Sequence, residues 1–308
     1  MNFTNRGNGN TESSHSNGEN ERTITIINSA LNVPLILTSI LGNGLVVAVI
    51  VKNRSLQSPS MIFLFSLALS DLLVGLVAQP LYIANTLTTN IHFLKLATGM
   101  MAFFVCGVSL DTVTAISVDR LMALTYHLRY PSLVTPCRVR YTTVLIWLSK
   151  VLTSSLYLWK MRECHFVVAF TTVMCLLIST FSYLKIYGIV RRHRLRIDAQ
   201  QLAVRSNCSP ENVAHMARLR KSALNMFVFY IVLILCYFPM YILSTLHGAS
   251  LLNWETKWDF AHTAVFMNSS INPVLYCWRL PELREAIVKM LRKIFCVQTH
   301  QNWIVTFA

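Results

Sequence analysis

The sequence contains seven apolar stretches, each close to the roughly 20 residues that an α-helix needs to cross a lipid bilayer. They cover residues 24–51, 61–87, 96–125, 141–158, 166–190, 223–246 and 260–278, with polar connections between them. Of the 308 residues, 54% are hydrophobic and only 13% are charged, which is too apolar for an ordinary soluble domain. The sequence therefore predicts an all-α membrane protein, a seven-transmembrane helix bundle that occupies residues 24–279.

The placement of the basic residues predicts how this bundle is oriented. Most of the 27 Lys and Arg residues lie in the connections after the first, third, fifth and seventh spans. Because positive charge is retained on the cytoplasmic side, the N-terminus is expected outside the cell and the C-terminus inside. The net charge of +14 is thus spread over membrane-edge loops, where it favours anionic membrane lipids as partners and argues against nucleic acid.

The two ends of the chain fall outside the predicted bundle. Residues 1–23 are rich in Asn, Ser, Gly and Glu and are expected to form a disordered extracellular tail, with a glycosylation sequon at Asn2. Residues 280–308 are expected to form a cytoplasmic amphipathic helix and tail, because Leu283, Ile287 and Leu291 share one helix face. Cys296, at the end of this C-terminal interfacial helix, is a candidate for palmitoylation.

Several polar side chains lie inside the spans, where each needs a partner. Asp71 is a carboxylate near the middle of the second span, and Ser109 lies in the third. Asn268 and Asn272 in the seventh span are four residues apart and share a helix face. A lone intramembrane Asn usually makes only an interhelical hydrogen bond. These four residues together, however, could surround one small cation. We expect a sodium ion there as an allosteric modulator, and no required cofactor.

A second pair of charges predicts an intramembrane ion pair. Asp111 lies in the third span and Lys150 in the fourth. Each charge alone would cost at least about 2.5 to 3.5 kcal/mol near mid-bilayer, and pairing lowers that cost. The alternative is that Lys150 extends outward to the membrane surface while Asp111 is protonated or bonded to a neighbouring hydroxyl.

A set of short motifs occurs in order along the spans. It comprises Gly42-Asn43-Gly44, the run from Ser66 to Asp71, Asp119-Arg120-Leu121, Trp147, Tyr183, Cys236-Tyr237-Phe238-Pro239 and Asn272-Pro273-Val274-Leu275-Tyr276. In this set the chain resembles the rhodopsin-like (class A) G-protein-coupled receptors, from about residue 37 to residue 296. It is nearest in pattern to the melanocortin, adenosine, cannabinoid and lysophospholipid group. The resemblance implies a plasma-membrane receptor with an extracellular ligand and a heterotrimeric G protein as partners.

The resemblance also implies roles for particular residues. The ligand pocket would be formed by Tyr82, Phe103, Cys106, Tyr241, Trp258, His262 and Phe266. Activation and G-protein coupling would involve Asp119, Arg120, Tyr183, Tyr237, Pro239, Pro273 and Tyr276. Alternatively, any one of the pocket aromatics is only core filler.

Departures from the family pattern limit the kinds of ligand that the pocket would bind. Ala102 stands where amine receptors have an aspartate, so a monoamine ligand would have no counter-ion. The expected ligand is therefore lipid-like or small and neutral. Lys95 replaces the usual span-three cysteine, which leaves Cys164 without the usual partner for an outer disulfide. Leu121 and Tyr237 replace an aromatic residue and a tryptophan in the activation motifs.

Other functional classes fit the sequence less well. The departures at Leu121 and Tyr237 favour, weakly, a constitutively active or decoy receptor of the same fold. A transporter or channel is expected to show internal repeats or broken helices in matching halves, and none is visible. An enzyme is not expected, because the sequence shows no nucleophile-base pair and no metal-ligand spacing.

Overall fold

The computed structural model describes residues 8–53, 58–88, 91–126, 129–159, 161–203, 227–228, 230–240, 242 and 255–306. Within these ranges all regular secondary structure is helical. The helices are α1 (Asn8–Lys52), α2 (Pro59–Leu73), α3 (Gln79–Leu87), α4 (His92–Thr125), α5 (Tyr130–Leu133), α6 (Pro136–Trp159), α7 (Met161–Ala203), α8 (Tyr230–Met240), α9 (Glu255–Arg279) and α10 (Pro281–Thr306). The all-α prediction for the fold is confirmed.

The long apolar helices match the predicted membrane spans. Among the described residues, four segments have the length and hydropathy to cross a bilayer, namely Arg22–Lys52, Pro59–Leu87, His92–Thr125 and Phe166–Arg192. Helices α6 and α9 coincide with the fourth and seventh predicted spans, although both carry more charge. Helix α8 is the described part of the sixth span, and much of residues 223–246 lies outside the described residues. The chain is thus a multi-pass helical membrane protein.

The N-terminal region differs from the sequence expectation. Disorder is expected over residues 1–23, but helix α1 begins at Asn8 and runs without a break to Lys52. Once a long apolar span has nucleated a helix, each further turn adds hydrogen bonds without a new nucleation step, so a polar leader can continue it. Residues 1–7, including the sequon at Asn2, lie outside the described residues.

The second span is interrupted by one π-helical turn. Residues Val74–Ala78 form this turn between α2 and α3, just before Pro80 at the start of α3. Proline cannot donate a backbone hydrogen bond, and a π turn accommodates that loss locally. The extra residue advances the helix by about 100° relative to an uninterrupted α-helix. The turn therefore sets which side chains of α3 face the interior above Asp71.

Helix α4 lies at the centre of the bundle, with α2, α6 and α7 packed around it. The larger apolar cluster occupies the half of the bundle that is expected on the cytoplasmic side and includes Leu64, Ile116 and Tyr276, which are at most 4% exposed. Leu283 and Ile287 of α10 belong to the same cluster, so the apolar face of this C-terminal helix packs onto the bundle. A smaller cluster lies in the outer half and contains Val74, Ala78, Tyr82, Val105 and Phe266.

Helices α1 and α9 approach most closely where Gly42 meets Pro273. A Cβ atom at Gly42 would lie 2.6 Å from Cγ of Pro273, closer than real carbon atoms pack. Gly44, one half-turn further along α1, has open space, since the nearest atom to its Cβ position is 3.9 Å away in Leu72. The close α1–α9 contact therefore depends on Gly42 and not on Gly44.

We expect Gly42→Ala to destabilise the folded protein by about 1–3 kcal/mol, because the added methyl group overpacks the α1–α9 contact. Gly44→Ala is the matched control on the same helix and should leave stability unchanged or slightly raised. The measurement is thermal unfolding of the two detergent-solubilised variants beside the wild type. Equal midpoints for the two variants would contradict the packing argument.

Candidate functional site

The carboxylate of Asp71 is fully buried and is contacted by three side chains. Ser269 Oγ donates to Oδ1 at 2.8 Å, and Asn272 Nδ2 donates to Oδ2 at 2.7 Å. Ser109 Oγ approaches Oδ1 at 3.4 Å and is also 2.9 Å from Ser70 Oγ. Helices α2, α4 and α9 thus converge on one carboxylate.

Three of the four predicted cation ligands, Asp71, Ser109 and Asn272, meet at this site. Asn268 is buried close by, but the hydroxyl that donates to Asp71 comes from its neighbour Ser269. Sequence reasoning missed Ser269 because it paired the two asparagines four residues apart. Ser269 lies three residues before Asn272, a spacing that also places two side chains on one helix face.

This arrangement can hold a proton or a small cation. A fully buried carboxylate with no compensating charge is costly inside a bilayer. The side chains that contact Asp71 among the described residues are hydroxyls and an amide, and none is basic. The hydroxyl oxygens of Ser109 and Ser269 can turn their lone pairs toward a cation that binds the carboxylate.

Three of the predicted pocket residues cluster in the outer half of the bundle. The Tyr82 ring stacks on His262 with centroids 5.4 Å apart and meets Phe266 edge-on, also at 5.4 Å. Cys106 packs against the same cluster from α4. Phe103 instead meets Tyr157 of α6 edge-on at 5.5 Å.

Two further predicted pocket residues cannot be placed in the same way. Tyr241 lies outside the described residues, and Trp258 falls in α9 without a described side chain. Both remain predictions.

An uncharged hydrogen-bond network, which we call the outer polar network, lies beside Tyr82. Asn28 Nδ2 donates to the Tyr82 hydroxyl at 3.1 Å, and Thr263 Oγ1 donates to Asn28 Oδ1 at 2.7 Å. Asn32 Nδ2 donates to Thr263 Oγ1 at 2.8 Å, and Gln79 Nε2 lies 3.4 Å from Asn32 Oδ1. The other amide oxygen of the network, Gln79 Oε1, is buried with no hydrogen-bond partner among the described residues.

Sequence reasoning missed the outer polar network. Asn28 and Asn32 are four residues apart in α1, which is the same signal that singled out the asparagines of α9. Gln79 carries no such signal, because its orientation depends on the π turn that precedes it. The side chains of the outer polar network are thus polar and uncharged.

A second charged site lies near the C-terminal end of α4. Asp119 Oδ2 accepts from Arg120 Nε at 3.0 Å and from Nη2 at 2.5 Å, and both residues are buried. The Tyr130 hydroxyl, on α5, donates to Asp119 Oδ1 at 2.7 Å. Burial raises the pKa of the Tyr130 hydroxyl and the Asp119 carboxylate raises it further, so Tyr130 stays protonated as a donor.

The other predicted activation residues line the core between the two sites. Tyr183 stacks on Tyr230 with centroids 5.1 Å apart, and Tyr276 is fully buried. Tyr237 and Pro239 are half-buried on α8, and Pro273 is the residue that contacts Gly42. Tyr183 and Tyr276 therefore belong to the larger apolar cluster, and Tyr237 packs against it.

The structure brings Asp111 and Lys150 together within the membrane. Lys150 Nζ lies 2.9 Å from Asp111 Oδ2, and Cys175 Sγ donates to Oδ1 at 3.3 Å. Lys150 reaches Asp111 by crossing Gly107, where a Cβ atom would lie 2.9 Å from Lys150 Cδ. One carboxylate thereby joins α4, α6 and α7.

Cys164 is a free, buried thiol in the structure. Its Sγ atom donates to the Thr153 carbonyl oxygen at 3.5 Å. That the fold does not depend on an outer disulfide at Cys164 stays a prediction.

Comparison with known proteins places these sites in a family context. A family model described as the 7 transmembrane receptor (rhodopsin family) matches residues 42–165, which include Asp71, Asp119 and Arg120. The chain is also similar to the histamine H2 receptor of Cavia porcellus, with 28% identity over 297 residues. That alignment covers 87% of this chain and 79% of the relative.

We expect Asp111→Asn and Lys150→Met each to lower surface expression, because each leaves one buried charge without its partner. The double variant should recover much of the loss, since it removes both charges. The measurement is a double-mutant cycle of surface expression, read with an N-terminal epitope tag.

Lys185→Met is the control for the loss of a lysine, since Lys185 is far from Asp111 in the chain. We expect it to have little effect on surface expression. Strictly additive losses in the Asp111 and Lys150 cycle would show that the ion pair does not stabilise the bundle.

Proposed function

We propose that this chain, which belongs to the rhodopsin family of seven-transmembrane receptors, binds a small neutral or lipid-like ligand from outside the cell and activates a heterotrimeric G protein. The family consists of receptors and not enzymes, and its members are multi-pass membrane proteins. In the proposed orientation the N-terminus is extracellular and the plasma membrane is the site of action. The narrower likeness to melanocortin, adenosine, cannabinoid and lysophospholipid receptors stays a prediction.

The observation that carries the ligand proposal is the uncharged character of the described side chains around Tyr82. Tyr82, His262 and Phe266 provide an aromatic surface, and the outer polar network beside it contains amides and a hydroxyl but no carboxylate. Ala102 on α4 has no group that could pair with an ammonium ion. Such a surface favours a ligand that is largely apolar with one or two hydrogen-bonding groups.

The same argument disfavours histamine, which the relative's name gives as its ligand, as the ligand of this chain. Histamine carries an ammonium group at neutral pH, and a buried ammonium without a counter-ion is strongly disfavoured. We therefore propose that histamine is not the ligand, although the two chains are similar along most of their length.

The cytoplasmic site supports the coupling proposal. Asp119 holds Arg120 with two hydrogen bonds, and Tyr130 holds Asp119 from the loop after α4. A buried charge pair tied to a loop is a two-state element, because ligand-driven movement of α4 could release Arg120 toward a partner. We propose that Arg120 then contacts the G protein.

A second-messenger assay in transfected cells tests the function. The panel consists of lipids, nucleosides and histamine. We expect at least one neutral compound to activate the receptor and histamine not to activate it. Arg120→Ala should abolish the response, and Asp119→Asn should raise basal signalling, because it weakens the restraint on Arg120. Tyr130→Phe removes one donor to Asp119 and should raise basal signalling less.

Surface expression of each variant is the control for these signals. A response to histamine would refute the neutral-ligand proposal, and normal signalling by both Arg120→Ala and Asp119→Asn would refute the coupling route. High signalling by the wild type without any compound would instead favour the constitutively active form.

We also propose that Asp71, Ser109, Ser269 and Asn272 bind a sodium ion that stabilises the resting receptor, with Asn268 in the surrounding layer. The carboxylate is fully buried, and the hydroxyl oxygens that already contact it can serve as further ligands. A bound cation would remove the cost of the isolated negative charge.

Thermal unfolding of the purified protein tests this site without a ligand. Sodium chloride should raise the midpoint relative to choline chloride at equal concentration, because a cation that binds only the folded state stabilises it. Asp71→Asn should abolish the sodium-dependent shift. Ser39→Ala is the matched control, since Ser39 donates to the backbone carbonyl of Asp71 and not to its carboxylate. A sodium shift that persists in Asp71→Asn would contradict the assignment.

A further inference from the structure

A small apolar cavity lies between α4, α7 and α8, apart from the sites described above. Its volume is about 110 Å³. It is lined by Leu110, Leu176, Leu233, Ile234, Tyr237 and Phe238. Apart from the phenol of Tyr237, these side chains are hydrocarbon.

The cavity extends from the core of the bundle toward its membrane surface. Leu110 and Leu233 form its buried side, with 6% and 1% of their surfaces exposed, whereas Phe238 is 57% exposed. Leu110 directly follows Ser109, which reaches Asp71, so the cavity lies at the depth of the Asp71 site. At that depth the surrounding medium is the hydrocarbon of the bilayer.

The lining determines what the cavity can hold. A buried water molecule needs two to four polar partners, and these walls offer at most the Tyr237 hydroxyl. In another protein, an engineered cavity of about 150 Å³ with a Leu, Ile and Phe lining stays dry and binds benzene. A cavity of similar size and lining therefore favours a hydrocarbon occupant.

We propose that this cavity binds the terminal segment of a lipid acyl chain, which enters from the bilayer between α7 and α8 beside Phe238. The chain end lies against Leu110 and Leu233 and touches Tyr237. Because Tyr237 lines the cavity, occupancy makes the packing of Tyr237 depend on the acyl chains of the surrounding membrane. This site goes beyond the ligand and sodium sites of the proposed function and does not depend on them.

Photo-crosslinking tests the proposal with the full-length protein in lipid nanodiscs. The probe is phosphatidylcholine with a diazirine at the end of one acyl chain, and labelled residues are mapped by mass spectrometry. We expect label on Leu110 or its immediate neighbours, although its side chain is nearly absent from the outer surface. Leu233→Phe fills the cavity and should remove the label at Leu110.

Two controls make the result specific. Leu152 of α6 is 72% exposed and should be labelled equally in the wild type and in the filled variant. Phosphatidylcholine with its diazirine near the headgroup should not label Leu110. Leu176→Phe is a second filling variant, with the same expected loss, in case Leu233→Phe does not fold.

Several outcomes would overturn the proposal. One is a wild type labelled only at exposed residues such as Leu152. Another is label on Leu110 that persists in the filled variants, which would show that the probe arrives by a different route. Equal labelling of Leu110 by the headgroup probe would show that the site does not select chain ends.

Discussion

The cost of placing polar groups inside a bilayer governs the arrangement of this bundle. Helix α1 shows it most clearly, because Asn28, Asn32, Ser39 and Asn43 form one stripe and each is at most 1% exposed. Their partners lie on the second span and on α9, as in the hydrogen bond from Ser39 to the Asp71 carbonyl and that from Asn43 to the Ser269 carbonyl. With no water at that depth, the donors of this stripe find these partners only when the three helices stay in register. The packing of α1 against α9 at Gly42 depends on the same register.

Helix α4 takes part in three carboxylate sites at successive depths, and each carboxylate is compensated differently. Asp71 on α2 is met by Ser109 and by the hydroxyl and amide of α9, Asp111 by the Lys150 amine, and Asp119 by the Arg120 guanidinium. Only the first lacks a basic partner among the described residues, which leaves room for an exchangeable cation. The Asp111–Lys150 ion pair joins neighbouring helices. The Asp119–Arg120 pair lies beside the short helix α5, and we propose that Arg120 can leave Asp119 for another partner. One helix thus connects the proposed sodium site at Asp71 with the buried Asp119–Arg120 ion pair.

The sequence was sufficient to predict the helical class, the positions of most spans and the residues that carry charge in the membrane. Asp111 and Lys150 were paired from the cost of isolated charge alone, and the structure joins them at 2.9 Å. The role of Ser269 and the outer polar network were not predicted, because both depend on the exact rotation of a helix. In the second span that rotation is changed by the π turn at Val74–Ala78, for which the residue pattern carries no periodic signal. The extension of α1 back to Asn8 was not predicted. The amino-acid composition of residues 1–23 indicates their average tendency to be disordered, but it does not show that a neighbouring helix can continue into them.

The π turn also makes the two halves of the second span independent in their register. Asp71 lies on the cytoplasmic side of the turn, and Gln79 and Tyr82 lie on the outer side. Loss of one residue within Val74–Ala78 would restore a regular α-helix and rotate the outer half by about 100° while the inner half stays in place. A single codon deletion would therefore change which side chains of α3 face the interior of the bundle, while the surroundings of Asp71 keep their register. Such a segment lets the two halves of one span be altered separately.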